Sequence, residues 1–318
     1  MKDKNLSAFY HQLKSIPYVQ SFLSECYRRE NFSDYEKLSF QNADRFVYYL
    51  EHAETYLNQA KKAPVSIQPM LLFYGLTQLI KTCLMTKRPY YPENTSLLAH
   101  GVSARKRKKQ SYRFLQDEVK IQQKGLFPYL TSHLFSIHQF TVDKFSMEQL
   151  LKRVPEMSEL YDIQHKEKPV IKVGNPGEKR LLIPLDIVND WHLSENRFAD
   201  KLSHYHFPVK DWHSDQDYLY ITSDRILLPF ESNLFSMDAE GSCLYLCKNR
   251  TFFYPFHEVM THFLLLYNLS MICRYETEWW GELLHSFSNN DYPYILHFLS
   301  ITAKKIPIML GYYLFNQT

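Results

Sequence analysis

Two long segments of this chain are apolar on nearly every side of a helix. Residues 69–85 read PMLLFYGLTQLIKTCLM, and residues 257–273 read HEVMTHFLLLYNLSMIC. A helix that is apolar around most of its circumference has to be buried among other elements. Neither segment offers the roughly 18 to 20 consecutive apolar residues that a membrane span requires. We therefore predict that 69–85 is a buried helix, that 257–273 is a strongly apolar helix, and that the N-terminal and C-terminal helices pack together.

More helices are indicated on both sides of these two segments. Residues 42–62 carry apolar side chains at three- and four-residue spacing, and Pro64 ends the pattern, so 42–86 is predicted to form two packed antiparallel helices. Gly125 is a natural C-terminal cap for a helix over 111–123. The remaining helices are expected at 145–165, 276–287 and 292–305, the last followed by a short tail.

The pattern changes between about residues 168 and 255. Short runs rich in β-branched and aromatic residues alternate with turn residues there, which is typical of antiparallel hairpins. The predicted hairpins pair 170–174 with 180–184, 218–222 with 226–230, and 244–247 with 251–254.

The expected fold is therefore α+β, predominantly α-helical with an antiparallel β-rich insert in the second half. The predicted regions are an N-terminal helical region over 1–165, the β-rich insert over 166–255, and C-terminal helices over 256–318. The C-terminal helices are expected to pack on the N-terminal region, so that the chain forms one compact unit.

Composition excludes several classes of protein. The chain holds 24 Tyr and 22 Phe but 8 Gly, and low glycine argues against nucleotide folds built on glycine-rich loops. A net charge of +3 is too small to indicate nucleic-acid binding by itself. The 5 cysteines are typical of reduced thiols in a cytosolic protein, and no apolar leader opens the chain. We expect a cytoplasmic protein with no membrane partner.

Two residue pairs resemble metal sites without meeting their geometry. His257 and His262 are five residues apart, which turns the second imidazole by roughly 140° around a helix, whereas zinc-binding helices use a spacing of four. Cys243 and Cys247 would stand roughly 13 Å apart on one extended strand, too far to share an ion. We interpret the histidines as packed or capping residues and the cysteines as inward-facing core residues of one strand, and we expect no metal and no cofactor.

A third pair suggests an enzyme. Arg197 and His204 have the separation found in helical ribonucleases of the HEPN type, which need a base and a cation beside the scissile phosphate. The segment lies in the predicted β-rich region, and the residue after the arginine is Phe198. A divergent HEPN-like ribonuclease or nucleotide-processing enzyme is therefore the alternative function, and no catalytic residue is assigned.

Several separated motifs carry a family resemblance. They are QPMLLFYGL at 68–76 leading to Lys81, HGVSARKRKK at 100–109, GLF at 125–127 and CRYETEWW at 273–280. With these motifs in this order, the chain resembles the YaaC-like family of bacterial proteins over essentially its whole length. The resemblance implies a mostly helical cytoplasmic protein of Gram-positive bacteria. It also implies a link to nucleotide metabolism, through a genomic position beside purine-nucleotide synthesis.

The densest charge in the chain is a basic run of five residues. It comprises Arg105, Lys106, Arg107, Lys108 and Lys109. The run is a solvated loop, a docking site for nucleic acid, or a docking site for an acidic protein or phosphorylated ligand. The His100-Gly101 turn before it and the expected helix start at 110–111 favour the binding role, because helix N-termini attract anions.

Two further cations lie far from this run in the sequence. Arg274 ends the second apolar segment, where it is expected to pair with a nearby glutamate and stack on Trp279 or Trp280, either as a structural ion pair or as part of an anion pocket. Lys81 lies within the first apolar segment, and it either reaches the surface or is paired inside.

These cations lead to the predicted function. If Lys81 and Arg274 approach His100, they form a cationic pocket. The prediction is a non-catalytic binding or regulatory protein that uses the basic loop, together with an Arg274 pocket if one forms, to engage a nucleotide or an acidic protein surface, such as that of an enzyme of purine nucleotide metabolism. An enzyme would need a carboxylate in the same cleft.

Overall fold

The computed structural model describes residues 3–104, 112–285 and 290–318. The chain divides into two compact units, one made of Met1–Leu150 and Val259–Thr318, the other of Leu151–Glu258. Of the described residues, 56% are helical and 13% lie in strands, and the strands form two antiparallel sheets. The predicted α+β class, mostly helical, is confirmed.

The bounds of the regular elements are as follows. The helices are α1 (Asp3–Gln12), α2 (Ile16–Arg29), α3 (Tyr35–Ala60), α4 (Gln68–Met85), α5 (Leu126–Phe135), α6 (Met147–Leu151), α7 (Ser158–His165), α8 (Leu185–Asp190), α9 (Glu195–His204), α10 (Glu258–Tyr275), α11 (Thr277–His285) and α12 (Asp291–Phe315). The strands are β1 (Val102–Ala104), β2 (Glu118–Ile121), β3 (Lys144–Ser146), β4 (Val170–Gly174), β5 (Arg180–Pro184), β6 (Val209–Ser214), β7 (Tyr218–Ser223), β8 (Ser236–Met237) and β9 (Leu244–Cys247).

Helices α3 and α4 form the antiparallel pair that the sequence predicts for residues 42–86. Their ends meet where the Gln68 amide donates to the backbone oxygen of Ala60, 3.0 Å away. Midway along the pair, a Cβ on Gly75 would lie 2.7 Å from Cγ of Leu57. Glycine at this position therefore lets the two helices approach closely, and the prediction is confirmed.

The two apolar segments form the centre of the first unit. Helix α10 is buried at every position from 259 to 270. The ring of Phe263 on α10 lies 5.3 Å from Phe73 on α4 and 5.2 Å from Phe127 on α5. Such edge and tilted contacts between rings add to the burial of apolar area. The core thus lies where the apolar pattern places it.

Helix α12 extends further than the sequence predicts. We expected it to stop near residue 305 because of Pro307, but it continues to Phe315. Proline removes one backbone donor from a helix, and tertiary packing can compensate for that loss. Here the Tyr10 hydroxyl of α1 donates to the Pro307 carbonyl at 2.7 Å, and the Cys83 thiol of α4 lies 3.8 Å from the Leu310 carbonyl.

The predicted helix over 111–123 is wrong in its described part. Residues 118–121 form β2, which lies between β1 and β3 in a three-stranded antiparallel sheet. Val119 and Ile121 are buried while Lys120 is exposed, which is the two-residue period of a strand. Gly125 does not end a helix; it precedes the first residue of α5.

The second unit contains a six-stranded antiparallel sheet in the order β6-β7-β5-β4-β9-β8. The hairpin over 170–184 is confirmed by the pairing of Gly174 with Leu181. The partners predicted for the other two hairpins are wrong, because β7 pairs with β5 and β6, and β9 pairs with β4 and β8. Residues 250–252 form a 3-10 turn instead of a strand, capped by the side chain of Asn249. This region also holds the helices α8 and α9.

Candidate functional site

One face of α4 carries polar side chains within an otherwise apolar helix. Tyr74, Gln78 and Lys81 follow at steps of four and three residues, so they lie on the same side of the helix, and all three are half-buried. The Lys81 ammonium lies 5.7 Å from the centre of the Tyr49 ring on α3. Burial lowers the pKa of Lys81. Within the described residues, this lysine has no carboxylate at ion-pair distance.

Backbone hydrogen bonds hold His100 in place. The amides of Leu126 and Phe127 donate to the carbonyl oxygens of Ala99 and His100 at 2.8 and 3.0 Å. The loop carbonyls therefore accept from amides in the first turn of α5, which no helical carbonyl can reach.

Two glycines permit this arrangement. Gly101 has φ +77° and Gly125 has φ +123°, values that favour glycine. A Cβ on Gly125 would lie 2.5 Å from the Cα of Gly101, and a Cβ on Gly101 would lie 2.6 Å from Cδ of Pro128. The loop and the start of α5 are thus packed backbone against backbone beside His100.

The His100 ring lies against the aromatic core. Its centre is 5.0 Å from the Phe73 ring and 5.8 Å from the Tyr267 ring. Burial lowers the pKa of His100, and the charges of Arg274 and Lys81 lower it further. The three groups are therefore close enough to interact electrostatically, and we call Lys81, His100 and Arg274 the cationic cluster.

Arg274 closes the cluster from the last turn of α10. One guanidinium nitrogen, Nη1, donates to the Tyr74 hydroxyl at 2.7 Å, and Nε donates to the Ser270 carbonyl at 3.0 Å. The guanidinium carbon lies 5.5 Å from the Tyr74 ring centre and 5.1 Å from that of Tyr275. Arg274 thus joins the end of α10 to the polar face of α4.

The expected partners of Arg274 are wrong. The Trp280 indole donates to the Ser66 carbonyl at 2.9 Å, and the Trp279 ring packs against Tyr112. In the part of the chain that the structure describes, Arg274 has no ion pair with a carboxylate, neither with Glu276 nor with another residue. Helix α11 begins directly after α10, and both tryptophans lie on it, where they contact Ser66 and Tyr112 instead of Arg274. The Tyr74 hydroxyl accepts the hydrogen bond from the Arg274 guanidinium.

The cationic cluster is surrounded by aromatic and polar groups suited to an anion with a flat organic part. A buried acceptor, Oε1 of Gln78, has no hydrogen-bond partner among the described residues. The rings of Tyr56 and Tyr74 lie 5.7 Å apart. Tyrosines near the cluster are Tyr49, Tyr56, Tyr74, Tyr267 and Tyr275. Cations bind phosphate or carboxylate, and tyrosine faces stack on planar groups.

The four sequence motifs meet in this one place. Residues 68–76 supply Phe73 and Tyr74, residues 100–109 supply His100, residues 125–127 supply the glycine that packs on its loop, and residues 273–280 supply Arg274. A family profile described as YaaC-like Protein matches residues 11–314 of the chain. The chain belongs to the YaaC-like family. No curated protein and no solved structure matches it.

The structure of this YaaC-like protein brings together Lys81, His100 and Arg274, the three candidate residues outside the basic run. The run itself, residues 105–109, lies outside the described residues and follows directly after Ala104, the last residue of β1. Sequence reasoning missed Gln78 and the tyrosines. The seven-residue spacing of Tyr74 and Lys81 could have indicated a shared polar face on α4.

The histidines that resemble a zinc motif are packed in the interior of this YaaC-like protein. Nε2 of His257 lies 2.9 Å from the Phe230 carbonyl, and Nδ1 of His262 lies 2.9 Å from the Thr302 hydroxyl. Both side chains are buried. Their interpretation as packed histidines is confirmed. No group of three or more His, Cys, Asp or Glu side chains in the described ranges could hold a metal ion.

The interpretation of the two neighbouring cysteines is wrong in part. Strand β9 begins at Leu244, so Cys243 lies outside it. Leu244 and Leu246 are the buried positions of the strand, and Cys247 alternates with them at a half-buried position. The core-facing residues are thus the leucines.

The arginine and histidine that suggested a ribonuclease lie on α9. This helix belongs to the second unit of the YaaC-like chain, and both Arg197 and His204 are exposed on it. Phe198 and Leu202 form its buried face.

None of the described helices is long and apolar enough to cross a membrane.

Proposed function

We propose that this protein is a cytoplasmic binding or regulatory protein that takes up a nucleotide at the cationic cluster. The observation that carries the proposal is the arrangement around α4: Arg274 donates to Tyr74 on the helix face that also carries Lys81, and the His100 ring lies 5.0 Å from the adjacent Phe73 ring. Like charges that approach one another in a half-buried site repel, and an anion removes that repulsion. The absence of an ion-paired carboxylate for Lys81 and Arg274 among the described residues leaves this role to a ligand.

A small ligand fits the cluster better than an acidic protein surface. All three side chains are half-buried, and burial lowers the pKa of both Lys81 and His100. Charges that serve protein docking lie on exposed rims, where solvent weakens each contact. An acidic enzyme surface, or nucleic acid, would instead use the basic run at 105–109.

The surroundings favour a nucleotide over inorganic phosphate. Stacking on the Tyr74 or Tyr56 ring would hold a planar base. The phosphate would lie against Arg274 and Lys81, with His100 as a third donor once it is protonated. This division of roles is typical of pockets with a few polar groups among aromatic walls.

Binding is proposed ahead of catalysis on chemical grounds. Phosphate-ester cleavage needs a positioned base beside the cations. His100 could act as a base, but no carboxylate in the described part of the cluster orients it. The alternative ribonuclease pair, Arg197 and His204, is exposed on α9.

Isothermal titration with AMP, adenosine and inorganic phosphate tests this proposal on the full-length chain. We expect AMP to bind most tightly, since it alone engages both the cations and the rings. Arg274→Gln and Lys81→Met should each weaken AMP binding about tenfold or more, because a charge-assisted hydrogen bond contributes about 1.5–3 kcal/mol. Lys37→Gln, at an exposed position on α3, is the matched control and should change nothing. Equal affinity of the Arg274 variant and the wild type would contradict the proposal.

The basic run is tested separately. Changing Arg105, Lys106, Arg107, Lys108 and Lys109 to serine should leave circular dichroism unchanged and reduce the salt dependence of AMP binding, because it removes five positive charges whose long-range attraction is screened by salt. If AMP binding is unaffected at low salt, the cationic cluster acts without the run. A variant that unfolds would show instead that the run is structural.

A further inference from the structure

A cavity lies on a different side of α4 from the cationic cluster. It has a volume of about 480 Å³ and lies between α1, α3 and α12, with Leu79 of α4 at its floor. Leu79 and Lys81 are two positions apart, so they project about 200° apart around the helix axis. The cavity is therefore independent of the proposed nucleotide site, and its size is in the range of small-molecule pockets, about 300–1,000 Å³.

The inner wall of this cavity is apolar. Leu6, Ala53, Leu57 and Leu79 line it, and each is at most 5% exposed. Pro307 and Ile308 of α12 add to this apolar part, and the rest of the lining is polar or aromatic: Ser7, Tyr10, His11, Lys14, Glu54, Asn58 and Lys61. An apolar wall of this kind favours a hydrocarbon body over a polar one, because it offers no hydrogen bonds to replace those lost with water.

Tyr10 fixes α1 against α12 beside the cavity. Its side chain packs on Gly311, where an added Cβ would lie 2.8 Å from the tyrosine ring and hydroxyl. Its hydroxyl donates to the Pro307 carbonyl at 2.7 Å, so its donor is already satisfied. Tyr10 therefore lines the cavity without offering a free donor to a ligand.

The rim of the cavity carries a net positive charge. Lys14 pairs with Glu54 at 2.6 Å, so these two charges neutralise each other. Glu54, Asn58 and Lys61 follow at steps of four and three residues on α3 and its end, so they share one face. Lys61 is exposed and has no ion pair among the described residues. Beside it, the Asn58 amide can donate to the same anion.

We propose that this cavity binds a small monoanionic amphiphile, a medium-chain carboxylate. Its hydrocarbon body occupies the apolar interior between α1, α3 and α12. Its carboxylate lies at the rim against Lys61 and the Asn58 amide. A cationic or uncharged amphiphile would bury the same chain but would leave Lys61 without a partner.

Titration calorimetry with hexanoate, octanoate and decanoate, below their micellar concentrations, tests the body of the ligand. Each added methylene should tighten binding by up to about fourfold until the cavity is filled, and no further after that. Octylammonium and 1-octanol test the head group, and both should bind more weakly than octanoate. If octylammonium binds as tightly as octanoate, or if no carboxylate binds, the proposal fails.

Variants place the site. Lys61→Gln should weaken octanoate binding about threefold to tenfold, the loss expected for a largely exposed charge-assisted contact. Lys62→Gln removes the neighbouring exposed lysine, which does not line the cavity, and should leave binding unchanged. An equal effect of the two substitutions would mean general charge attraction and would overturn the assignment.

Filling the cavity provides the second localisation. Ile308→Trp, at a half-buried position, should abolish octanoate binding while AMP binding is retained. Ser7→Trp, at an exposed position of α1 that also lines the cavity, should do the same without disturbing the core. Octanoate binding that survives in a folded Ser7→Trp variant would refute the site. If the wild-type protein binds octanoate but not AMP, the result counts against the nucleotide proposal and not against this one.

Discussion

Replacing Gly125 with alanine should damage the fold and the candidate site together. A Cβ at this position would lie 2.5 Å from both Cα and N of Gly101 and 2.9 Å from the Ala99 carbonyl oxygen. These are backbone atoms, so a side-chain rotation cannot relieve the overlap. The backbone at residue 125 has φ +123° and ψ −175°, a region that is essentially reserved for glycine.

The expected cost follows from these two effects. Strain in that backbone region costs about 1–3 kcal/mol. Overpacking of a well-packed contact costs about another 1–3 kcal/mol. We therefore expect Gly125→Ala to lower the free energy of unfolding by about 2–6 kcal/mol, a large part of the roughly 5–15 kcal/mol that stabilises a typical domain.

Two other glycines separate strain from overlap. Gly177 has φ +85° but nothing within 4 Å of an added Cβ, so Gly177→Ala should cost only the strain. Gly281 lies inside α11 with open space around it, so Gly281→Ala should stabilise by up to about 1 kcal/mol through helix propensity. Urea denaturation followed by far-ultraviolet circular dichroism measures all three.

The functional consequence distinguishes this loop from a merely structural one. The overlap would push the Ala99–Gly101 loop away from α5 and displace His100, which that loop carries. We expect AMP binding to weaken at temperatures where Gly125→Ala remains folded. If Gly125→Ala and Gly177→Ala cost the same within about 0.5 kcal/mol, the backbone contact is not the cause and the reasoning is refuted.

Three further predictions follow from buried polar groups. The lowered pKa of His100 means that folding opposes its protonation, so the stability of the wild type should fall as the pH drops below about 6.5. Between pH 7 and pH 5, the thermal midpoint should therefore fall less for His100→Asn than for the wild type. AMP, in contrast, should bind the wild type more tightly at the lower pH, because protonated His100 adds a positive donor. The side chain of Arg153 is 5% exposed and donates to the Phe252 and Phe256 carbonyls at 3.1 and 3.2 Å. Arg153→Met should therefore lower the free energy of unfolding, measured by urea denaturation, by about 2–4 kcal/mol. An unchanged midpoint would mean that water replaces the guanidinium. Burial raises the pKa of Cys26 to about 12, so this thiol stays protonated and unreactive at pH 8. Peptide mapping after iodoacetamide treatment at pH 8 should therefore show that the half-exposed Cys243 is labelled before Cys26. Early labelling of Cys26 would mean that α2 opens.

The candidate site was predictable in its members but not in its geometry. Lys81 stands out in the sequence as a charge within an apolar helix, and Arg274 stands out at the end of another. That both approach His100 depends on the packing of α4 against α10 and on the loop held by Gly101 and Gly125. The Tyr74 hydroxyl took the place of the expected carboxylate, since the choice between two hydrogen-bond partners depends on distances that no spacing rule contains.

The sequence by itself determined that the segments of α3, α4 and α10 are helical and that α4 is buried. A period of 3.6 residues and apolarity on all sides are local properties, so 42–86 and the segment around α10 could be recognised without any partner. The same holds for the hairpin over 170–184, whose strands are joined by a short turn.

Only the tertiary structure decided how the strands pair and where β2 lies. The apolar residues Val119 and Ile121 suit a helix or a strand by composition, and pairing with β1 and β3 selected the strand. Likewise β7 and β9 each found partners distant in sequence. Strand pairing joins residues through hydrogen bonds between separate segments, so its free energy depends on which other elements are already packed nearby, and that information is not present in any local stretch of the chain.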